Sequence, residues 1–227
     1  MEVRLFTFGL FPLTIEELQT KTGFQEGTPP NMDLYPIVDL LRLGVAIVNR
    51  QARIIIVNQA AKAIFQNSGV ISASEGRLQA KSVAHNRALF QAIGRVPEVG
   101  STAPVGFCIL RTSQRPVSVL VTSFHAPEIP VRRSAPNIIA VLMSDPELQD
   151  VLEPNLVGAL FDFTPAESMI ATLLMRAKNT ASIAEELNIS SHTLRNHLKR
   201  MFAKTNTKGQ SDLLYVLLRS PACLRLN

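Results

Sequence analysis

The chain contains few of the residues that build disulfide frameworks and metal sites. Its 227 residues include only two cysteines, Cys108 and Cys223, which lie far apart and show no Cys-x-x-Cys or Cys/His spacing. A structural disulfide needs paired cysteines, and a zinc site needs closely spaced cysteines and histidines. Neither is expected here, and this cysteine usage favours a reducing cytoplasm.

Long hydrophobic runs are also absent. The apolar stretch from Leu5 to Ile15 is interrupted by Pro12 and is followed by Glu16 and Glu17 without a small-residue cleavage site. It therefore lacks the organisation of a signal peptide. No other run approaches the length that crosses a bilayer, so a membrane is not an expected partner.

The sequence motifs of common enzyme classes are missing as well. There is no Gly-x-Ser-x-Gly, no glycine loop that could cradle a phosphate, no cluster of metal ligands and no kinase signature. Catalysis is therefore not expected. The parallel βα repeats and acidic cluster of a phosphorylated receiver domain are not visible either, so control by phosphorylation is not expected.

Positive charge is concentrated at one end of the chain. Residues 164–227 hold nine Lys/Arg against four Asp/Glu, whereas residues 1–163 hold fourteen of each, so the C-terminal segment carries the whole formal charge of +5. Nucleic acid attracts such a segment, because each Lys or Arg near a phosphate releases a condensed counterion. Solvated helices can be equally basic, so charge alone does not identify the partner.

The first two thirds of the chain predict one antiparallel sheet with helices on one face. The order is two strands, then helices, then three strands, and connections of hairpin length within each group favour antiparallel pairing. Asn58 is expected to cap the second helix. The predicted strands are 45–49, 53–58, 105–111, 117–124 and 137–144, the last of which follows a loop with Pro127, Pro130 and Pro136. The predicted helices are 35–43, 59–66 and 82–96.

Residues 34–148 resemble a PAS domain of the kind found upstream of LuxR-type DNA-binding heads. The stretches that carry the resemblance are Gly44-Val45-Ala46-Ile47-Val48-Asn49, Val57-Asn58-Gln59-Ala60-Ala61 and Gly76-Arg77-Leu78. One departure is Ala52, where the family's hairpin often has glycine. The resemblance implies a sensor or dimerisation module whose sheet can enclose a small molecule.

No cofactor is expected in this PAS-like region, and its ligand-binding residues are unknown. The flavin-binding version of the domain needs a reactive cysteine in a helix near the pocket, whereas Cys108 falls in a predicted strand. His85 and His125 are isolated, and an isolated histidine is more often an ordinary polar or packed residue than a haem ligand.

The last third of the chain contains the start signals of three successive helices. Thr164 and Glu167 form a capping box, in which each side chain accepts a hydrogen bond from the other residue's backbone amide. Asn179 is the expected cap of a second helix, and Ser190 is the expected cap of a third. Asn188, between them, suits a turn with positive φ.

The third of these helices presents a polar and basic face opposite its predicted core residues. Arginine and lysine donate to guanine O6 and N7, and asparagine pairs with adenine, so such a face suits recognition in the major groove. The residues on this face and its sides are His192, Arg195, Asn196, Lys199, Arg200 and Lys204.

Residues 163–220 resemble the helix-turn-helix of the LuxR/FixJ type. By this resemblance, Arg195, Asn196 and Lys199 take base-reading positions, and Thr193, His197 and Lys204 contact the DNA backbone or position the helix. Ala177 and Asn188 stand at turns where the family often has glycine. The matching stretches are the Thr164-Pro165-Ala166-Glu167 opening, Ile183-Ala184-Glu185-Glu186-Leu187-Asn188-Ile189-Ser190, Thr193-Leu194-Arg195-Asn196-His197-Leu198 and Lys204-Thr205.

A fourth helix, at 208–219, carries more apolar residues than a three-helix unit needs. In the family this helix supplies a dimer contact, whereas packing in the core is the alternative, and the two interpretations stay open. A two-fold dimer would place two recognition helices in successive major grooves of double-stranded DNA and would imply a pseudo-palindromic site. The candidate dimer residues are Leu213, Leu214, Val216 and Leu217.

These patterns predict an α+β protein that regulates transcription in a bacterial cytoplasm as a sequence-specific, DNA-binding homodimer. RNA polymerase and a small-molecule ligand of the PAS-like domain are further candidate partners. The alternative is an interaction module that does not bind DNA and restrains another regulator, but the retained Arg195 and Lys199 argue against it. The predicted organisation is an N-terminal segment and linker at 1–33, a PAS-like domain at 34–148, a linker helix at 149–162 and an all-α, four-helix LuxR-type domain at 163–227.

Overall fold

The structure, a computed structural model, describes residues 35–96, 103–123, 139–148 and 152–224. The predicted N-terminal segment and linker at 1–33, the proline-containing loop and His125 lie outside the described residues. The described chain is α+β, as predicted. It comprises a part rich in strands at 35–148, named here the sheet region, and a part made of helices at 152–224, named the helical region.

The described residues of the sheet region form three helices and seven strands. The helices are α1 (Tyr35–Asp39), α2 (Gln59–Asn67) and α3 (Val83–Arg95). The strands are β1 (Gly44–Val48), β2 (Ile54–Val57), β3 (Ile71–Ser74), β4 (Arg77–Ala80), β5 (Val105–Arg111), β6 (Gln114–Ser123) and β7 (Ile139–Ser144). Most predicted elements are present within a few residues of their expected bounds, although α1 ends four residues earlier than the predicted helix.

Five of the strands form one antiparallel sheet in the order β2-β1-β7-β6-β5. The last strand returns to the centre and pairs with β1 on one side and with β6 on the other. Along β6, the buried residues Val117, Val119 and Val121 alternate with more exposed ones, because successive side chains of a strand point to opposite faces. The predicted antiparallel sheet of two early and three late strands is therefore confirmed.

A short hairpin formed by β3 and β4 was not among the predicted elements. Its turn residues, Glu75 and Gly76, have φ of 51° and 72°, the positive values that a two-residue hairpin turn requires. Leu78 on β4 is fully buried and belongs to the core of the sheet region. The strands have four residues each, and only the Glu-Gly step with its short flanking alternation indicated them in the sequence.

Asn58 joins the first helix, the sheet and the second helix. Its side chain is fully buried, and its Oδ1 accepts hydrogen bonds from the amides of Val45 (2.8 Å) and Ala61 (2.9 Å). Its Nδ2 donates to the carbonyl oxygens of Val38 (3.0 Å) and Leu43 (2.9 Å). The predicted helix cap is confirmed, and the same side chain also fixes the entry of the chain into β1.

The helical region contains five α-helices and ends with a short 3-10 helix. The α-helices are α4 (Pro154–Phe161), α5 (Pro165–Met175), α6 (Thr180–Glu186), α7 (Ser191–Thr205) and α8 (Gln210–Leu218), and the 3-10 helix is Pro221–Cys223. Its core is formed by apolar residues of all five helices, among them Val157, Ile170, Leu174, Ile183, Leu194, Met201 and Leu213.

The helix predicted as a linker, α4, packs on the helices that follow it. Val157 is fully buried in their core, and the ring of Phe161 stacks on that of Phe163 with the centroids 5.5 Å apart. The helix ends at Asp162, which has a left-handed backbone with φ of 55°. The helix α4 therefore packs as part of the helical region.

Within the described ranges, no single helix has the length and apolar character that crossing a membrane requires. The pair formed by α4 and α5 reaches both only when counted together, and the two helices meet at a bend of 111°.

Candidate nucleic-acid interface

The predicted capping box at the start of α5 is present. The amide of Thr164 donates to Glu167 Oε2 at 2.9 Å, and the amide of Glu167 donates to Thr164 Oγ1 at 3.4 Å. Both orphan donors at this helix start are thereby satisfied by side chains. The first helix of the predicted helix-turn-helix begins where the sequence indicated.

Two further caps set the starts of α6 and α7. Asn179 Oδ1 accepts from the amide of Ser182 at 2.8 Å, and Ser190 Oγ accepts from the amide of Thr193 at 3.0 Å. Between the two helices, Asn188 has a φ of 50°, as its predicted turn position requires. The two caps set where α6 and α7 begin, and the left-handed turn at Asn188 sets the change of direction between them.

One side of α7 packs on the core and the opposite side faces solvent. Leu194, Leu198 and Met201 are buried, at 2%, 8% and 0% exposure. Residues four apart in a helix lie on the same face, so exposed residues with that spacing form continuous rows on the outer side. The exposed candidates on α7 are His192, Thr193, Arg195, Asn196, Lys199, Arg200 and Lys204.

The cations of this outer surface other than Lys204 carry no ion pair within the described part of the chain. The only ion pairs of the helical region there are Lys178 with Glu186 and Lys204 with Glu167. Arg195, Lys199 and Arg200 therefore present uncompensated positive charge, which is the electrostatic property that attracts a phosphate backbone.

His197 differs from the other candidates on α7 because it is only half exposed. Its Nδ1 atom is buried and has no hydrogen-bond partner among the described residues. The structure therefore places His197 at the border between the outer surface and the core, with part of its ring turned inward.

Lys204 is the candidate that the structure ties to the rest of the helical region. It follows Arg200 by four residues, so it continues the row of Asn196 and Arg200 at one side of the outer surface, on the opposite side of the helix from Arg195. Its Nζ donates to Glu167 Oε2 at 2.8 Å and to the carbonyl oxygen of Asp162 at 2.6 Å. The side chains of Lys204 and Glu167 are 29% and 1% exposed.

The carboxylate that Lys204 contacts is held ionised by its neighbours. Burial pushes the pKa of the Glu167 carboxyl upward, but the hydrogen bonds from Lys204 and Thr164 and the charge of Lys204 outweigh it, so its pKa lies below the ordinary value. Sequence reasoning could not find this contact, because the two side chains are separated by 37 positions and meet only in the folded head.

The predicted dimer residues on α8 fall on two different faces. Leu213 and Leu217 are fully buried in the core of their own chain, which favours the core-packing interpretation for these two residues. Leu214 and Val216 are half-buried, whereas Tyr215 and Leu218 are 60% and 49% exposed. Because residues four apart share a helix face, Leu213 with Leu217 forms the inner stripe and Leu214 with Leu218 forms an outer one.

The described core of the sheet region is formed by aliphatic side chains such as Ile64, Ile93 and Val121. Within the described ranges, no three His, Cys, Asp or Glu side chains lie close enough to hold a metal ion. Cys108 is exposed on β5, the predicted strand, and His85 is half-buried on α3.

The helices α5, α6 and α7 form a helix-turn-helix of the DNA-binding class. Each begins with a cap, α6 has a left-handed turn at both ends, and α7 carries an outer surface of Arg, Asn and Lys. The profile of the family described as "Bacterial regulatory proteins, luxR family" matches residues 162–217. The spore germination protein GerE of Bacillus subtilis (strain 168) is 41% identical over 56 residues, which are 25% of this chain and 76% of that protein. The chain belongs to the luxR family of bacterial regulatory proteins and is a DNA-binding regulator of transcription.

Two solved structures are similar over most of the chain at low identity. The complex of VqmA of Vibrio cholerae with its ligand and DNA is 15% identical, covers 87% of this chain and 92% of its own, and has a TM-score of 0.37. The complex of phage VqmA with DPO is also 15% identical, covers 84% and 88%, and has a TM-score of 0.34. At scores this low the similarity does not bear on what this chain binds.

Proposed function

We propose that the outer surface of α7 reads a specific DNA sequence in the major groove. The observation that carries this proposal is the placement of Arg195, Asn196 and Lys199 on the solvent side of a helix whose start is held by Ser190. Arg195 and Lys199 would donate to guanine, and Asn196 would pair with adenine. Thr193 and Arg200, beside them, would contact phosphates.

Dimerisation of the regulator is the second part of the proposal. With Leu213 and Leu217 in the core, the residues of α8 left for a second copy are Leu214, Leu218 and their neighbours Val216 and Tyr215. A two-fold pair of heads would bind half-sites one helical turn, about 34 Å, apart, which predicts a pseudo-palindromic operator.

The sheet region is proposed to control the helical region by sensing a signal or by holding two copies of the chain together. Its aliphatic core would suit an apolar small molecule better than a charged one, because a buried charge needs a partner. In this proposal residues 34–148 form the controlling domain, residues 163–227 bind DNA, and α4 transmits a change in the controlling domain to the DNA-binding part. The protein would act in the cytoplasm, with RNA polymerase as a further candidate partner. A restraining module that does not bind DNA is disfavoured by the intact basic surface of α7.

Selection of bound fragments from genomic DNA by the purified protein tests the function. The wild-type chain should enrich a two-fold related site, and its affinity for that site should fall steeply with salt because phosphate contacts release counterions. Arg195→Ala combined with Lys199→Ala should abolish the enrichment while some non-specific binding remains.

The matched control is Arg176→Ala combined with Lys178→Ala. Both cations are exposed in the same helical region but lie outside α7 and α8, so the double variant loses the same formal charge. Enrichment should survive in this control. Unchanged site selection by the α7 variant, or equal loss in both variants, would contradict the assignment of α7 as the recognition helix.

A further inference from the structure

Lys204 joins the far end of α7 to two segments that precede the helix-turn-helix. One of its hydrogen bonds goes to Glu167, the capping residue of α5, and the other goes to the carbonyl of Asp162, where α4 ends. The partners are separated from Lys204 by 37 and 42 positions in the chain. The contact therefore connects the helix that reads DNA with the helix that connects to the sheet region.

Each half of this contact answers a local need. The carboxylate of Glu167 is 1% exposed, and a buried anion is costly unless a cation or several donors face it. Asp162 has a left-handed backbone at the end of α4, where carbonyl groups have no backbone N–H partner within the helix, so its carbonyl oxygen needs another donor. One lysine ammonium has three donors and serves both groups.

The competing role for Lys204 is a phosphate contact. Two of its three N–H donors are already used by groups of the protein, and its side chain is 29% exposed. A phosphate could reach only the remaining donor and would have to approach an ammonium that the buried Glu167 carboxylate already neutralises. The geometry favours the contact within the protein.

We propose that Lys204 is a positioning residue, which fixes the angle of α7 against the cap of α5 and the end of α4, and does not itself bind DNA. This inference rests on the proposed role of α7 in reading DNA. A displacement of α4 by the sheet region would reach the recognition helix through this lysine. The affinity for the specific site therefore depends on Lys204 although no phosphate touches it.

The test compares Lys204→Met with Arg200→Met in the full-length chain. The two changes remove the same charge from neighbouring turns of the same helix, and Arg200 is the cation proposed to contact a phosphate. Each variant is titrated with the selected operator and with a scrambled duplex between about 50 and 200 mM salt, the range over which phosphate contacts change affinity most visibly.

Distinct outcomes are expected for the two variants. Arg200→Met, which removes a proposed phosphate contact, should lower the magnitude of the slope of log K against log salt by about 0.9, whereas Lys204→Met should leave the slope at the wild-type value. Lys204→Met should bind the operator roughly tenfold more weakly, within the range for residues that modulate coupling, and bind the scrambled duplex as wild type does. Lys204→Arg, which keeps the charge and can bond both oxygens, should restore operator affinity.

A slope that falls by about one in Lys204→Met, with equal weakening on both duplexes, would overturn the inference and make Lys204 a phosphate contact. Wild-type affinity in Lys204→Met would also overturn it. If Lys204→Met does not fold, Glu167→Gln serves instead, and it should lose operator affinity without a change in slope. A wild-type chain that does not distinguish the operator from the scrambled duplex would refute the proposed function itself, a result visible before any variant is measured.

Discussion

Ala177 and Asn188 adopt the same left-handed backbone conformation at the two ends of α6, with φ of 59° and 50°. Most L residues avoid this region, whereas asparagine tolerates it better than alanine does. The helix-turn-helix therefore contains one well-suited turn residue and one strained turn residue. The strain at Ala177 is a local property that substitution can relieve.

Replacing Ala177 with glycine should stabilise the protein. A left-handed conformation costs a residue with a Cβ about 1–2 kcal/mol, and glycine avoids this cost. Glycine loses about 0.5–1 kcal/mol more chain entropy than alanine on folding, so a net stabilisation of roughly 0.5–1 kcal/mol is expected. Ala177 is exposed, so no packing is lost. Urea denaturation followed by circular dichroism measures the change in the free energy of unfolding.

Ala52 provides the matched control for this substitution. It also has a positive φ, 57°, but its methyl group is fully buried in the core of the sheet region. Ala52→Gly would relieve the same strain and lose a buried methyl worth about 0.8 kcal/mol, so little or no net gain is expected. Equal gains in the free energy of unfolding at both positions would show that the buried methyl group of Ala52 does not contribute the expected stability.

Caps and turns were predictable because their signals are local. Thr164, Asn179 and Ser190 each cap a helix through the residue three positions further on, and Asn188 adopts a conformation that few other residues accept. Antiparallel pairing within each group of strands was predictable for a related reason, since short connections favour it, whereas the pairing of β7 with β1 joins distant parts of the chain and was not predicted. The outer surface of α7 followed from helical periodicity.

Features that depend on distant partners were not predictable. Lys204 fits a DNA-facing helix as well as an internal contact, and only the folded head brings it to Glu167. Leu213 and Leu214 are chemically identical neighbours, so periodicity indicated two stripes on α8 without saying which one the core covers. The hairpin of β3 and β4 has strands too short to display a convincing alternation.

Gly158 should be the least replaceable described glycine of the helical region. A Cβ built there would lie 2.8 Å from Ser168 Oγ and 3.4 Å from the carbonyl oxygen of Phe163, because α4 approaches α5 closely at this point. Gly158→Ala should lower the free energy of unfolding by about 1–3 kcal/mol through overpacking, despite the better helix propensity of alanine. Thermal denaturation of the two proteins measures the difference.

Gly94, near the end of α3, is the control for Gly158. No atom lies within 4 Å of the Cβ that an alanine would add there. Gly94→Ala should therefore stabilise the protein by about 0.4–1 kcal/mol. Destabilisation of the same size at both glycines would mean that the close approach of α4 to α5 is not what Gly158 provides.

Asn58→Ala should destabilise the sheet region severely. The change leaves two amides and two carbonyl oxygens without their buried partner, and a loss of about 3–5 kcal/mol is expected from several unsatisfied groups together. Asn67→Ala is the control, because Asn67 makes one exposed hydrogen bond, to Ala63. Chemical denaturation should separate the two variants, and a small effect of Asn58→Ala would refute the view that this side chain holds α1, β1 and α2 together.

Acid should weaken the helical region through Glu167. In the unfolded chain its carboxyl has an ordinary pKa of about 4.3, whereas the folded pKa is lower, so the stabilisation is fully present above the ordinary value and is lost as the pH falls through the folded pKa. Glu167→Gln should be less stable at pH 7 and should show a flatter decline in the free energy of unfolding below about pH 5. Glu186→Gln is the control, because Glu186 is 43% exposed and its surface ion pair with Lys178 contributes little to stability. The pH profile of this variant should follow that of the wild type. Parallel acid profiles for wild type and Glu167→Gln, measured by thermal unfolding from pH 3 to 7, would show that the buried carboxylate does not contribute this stability.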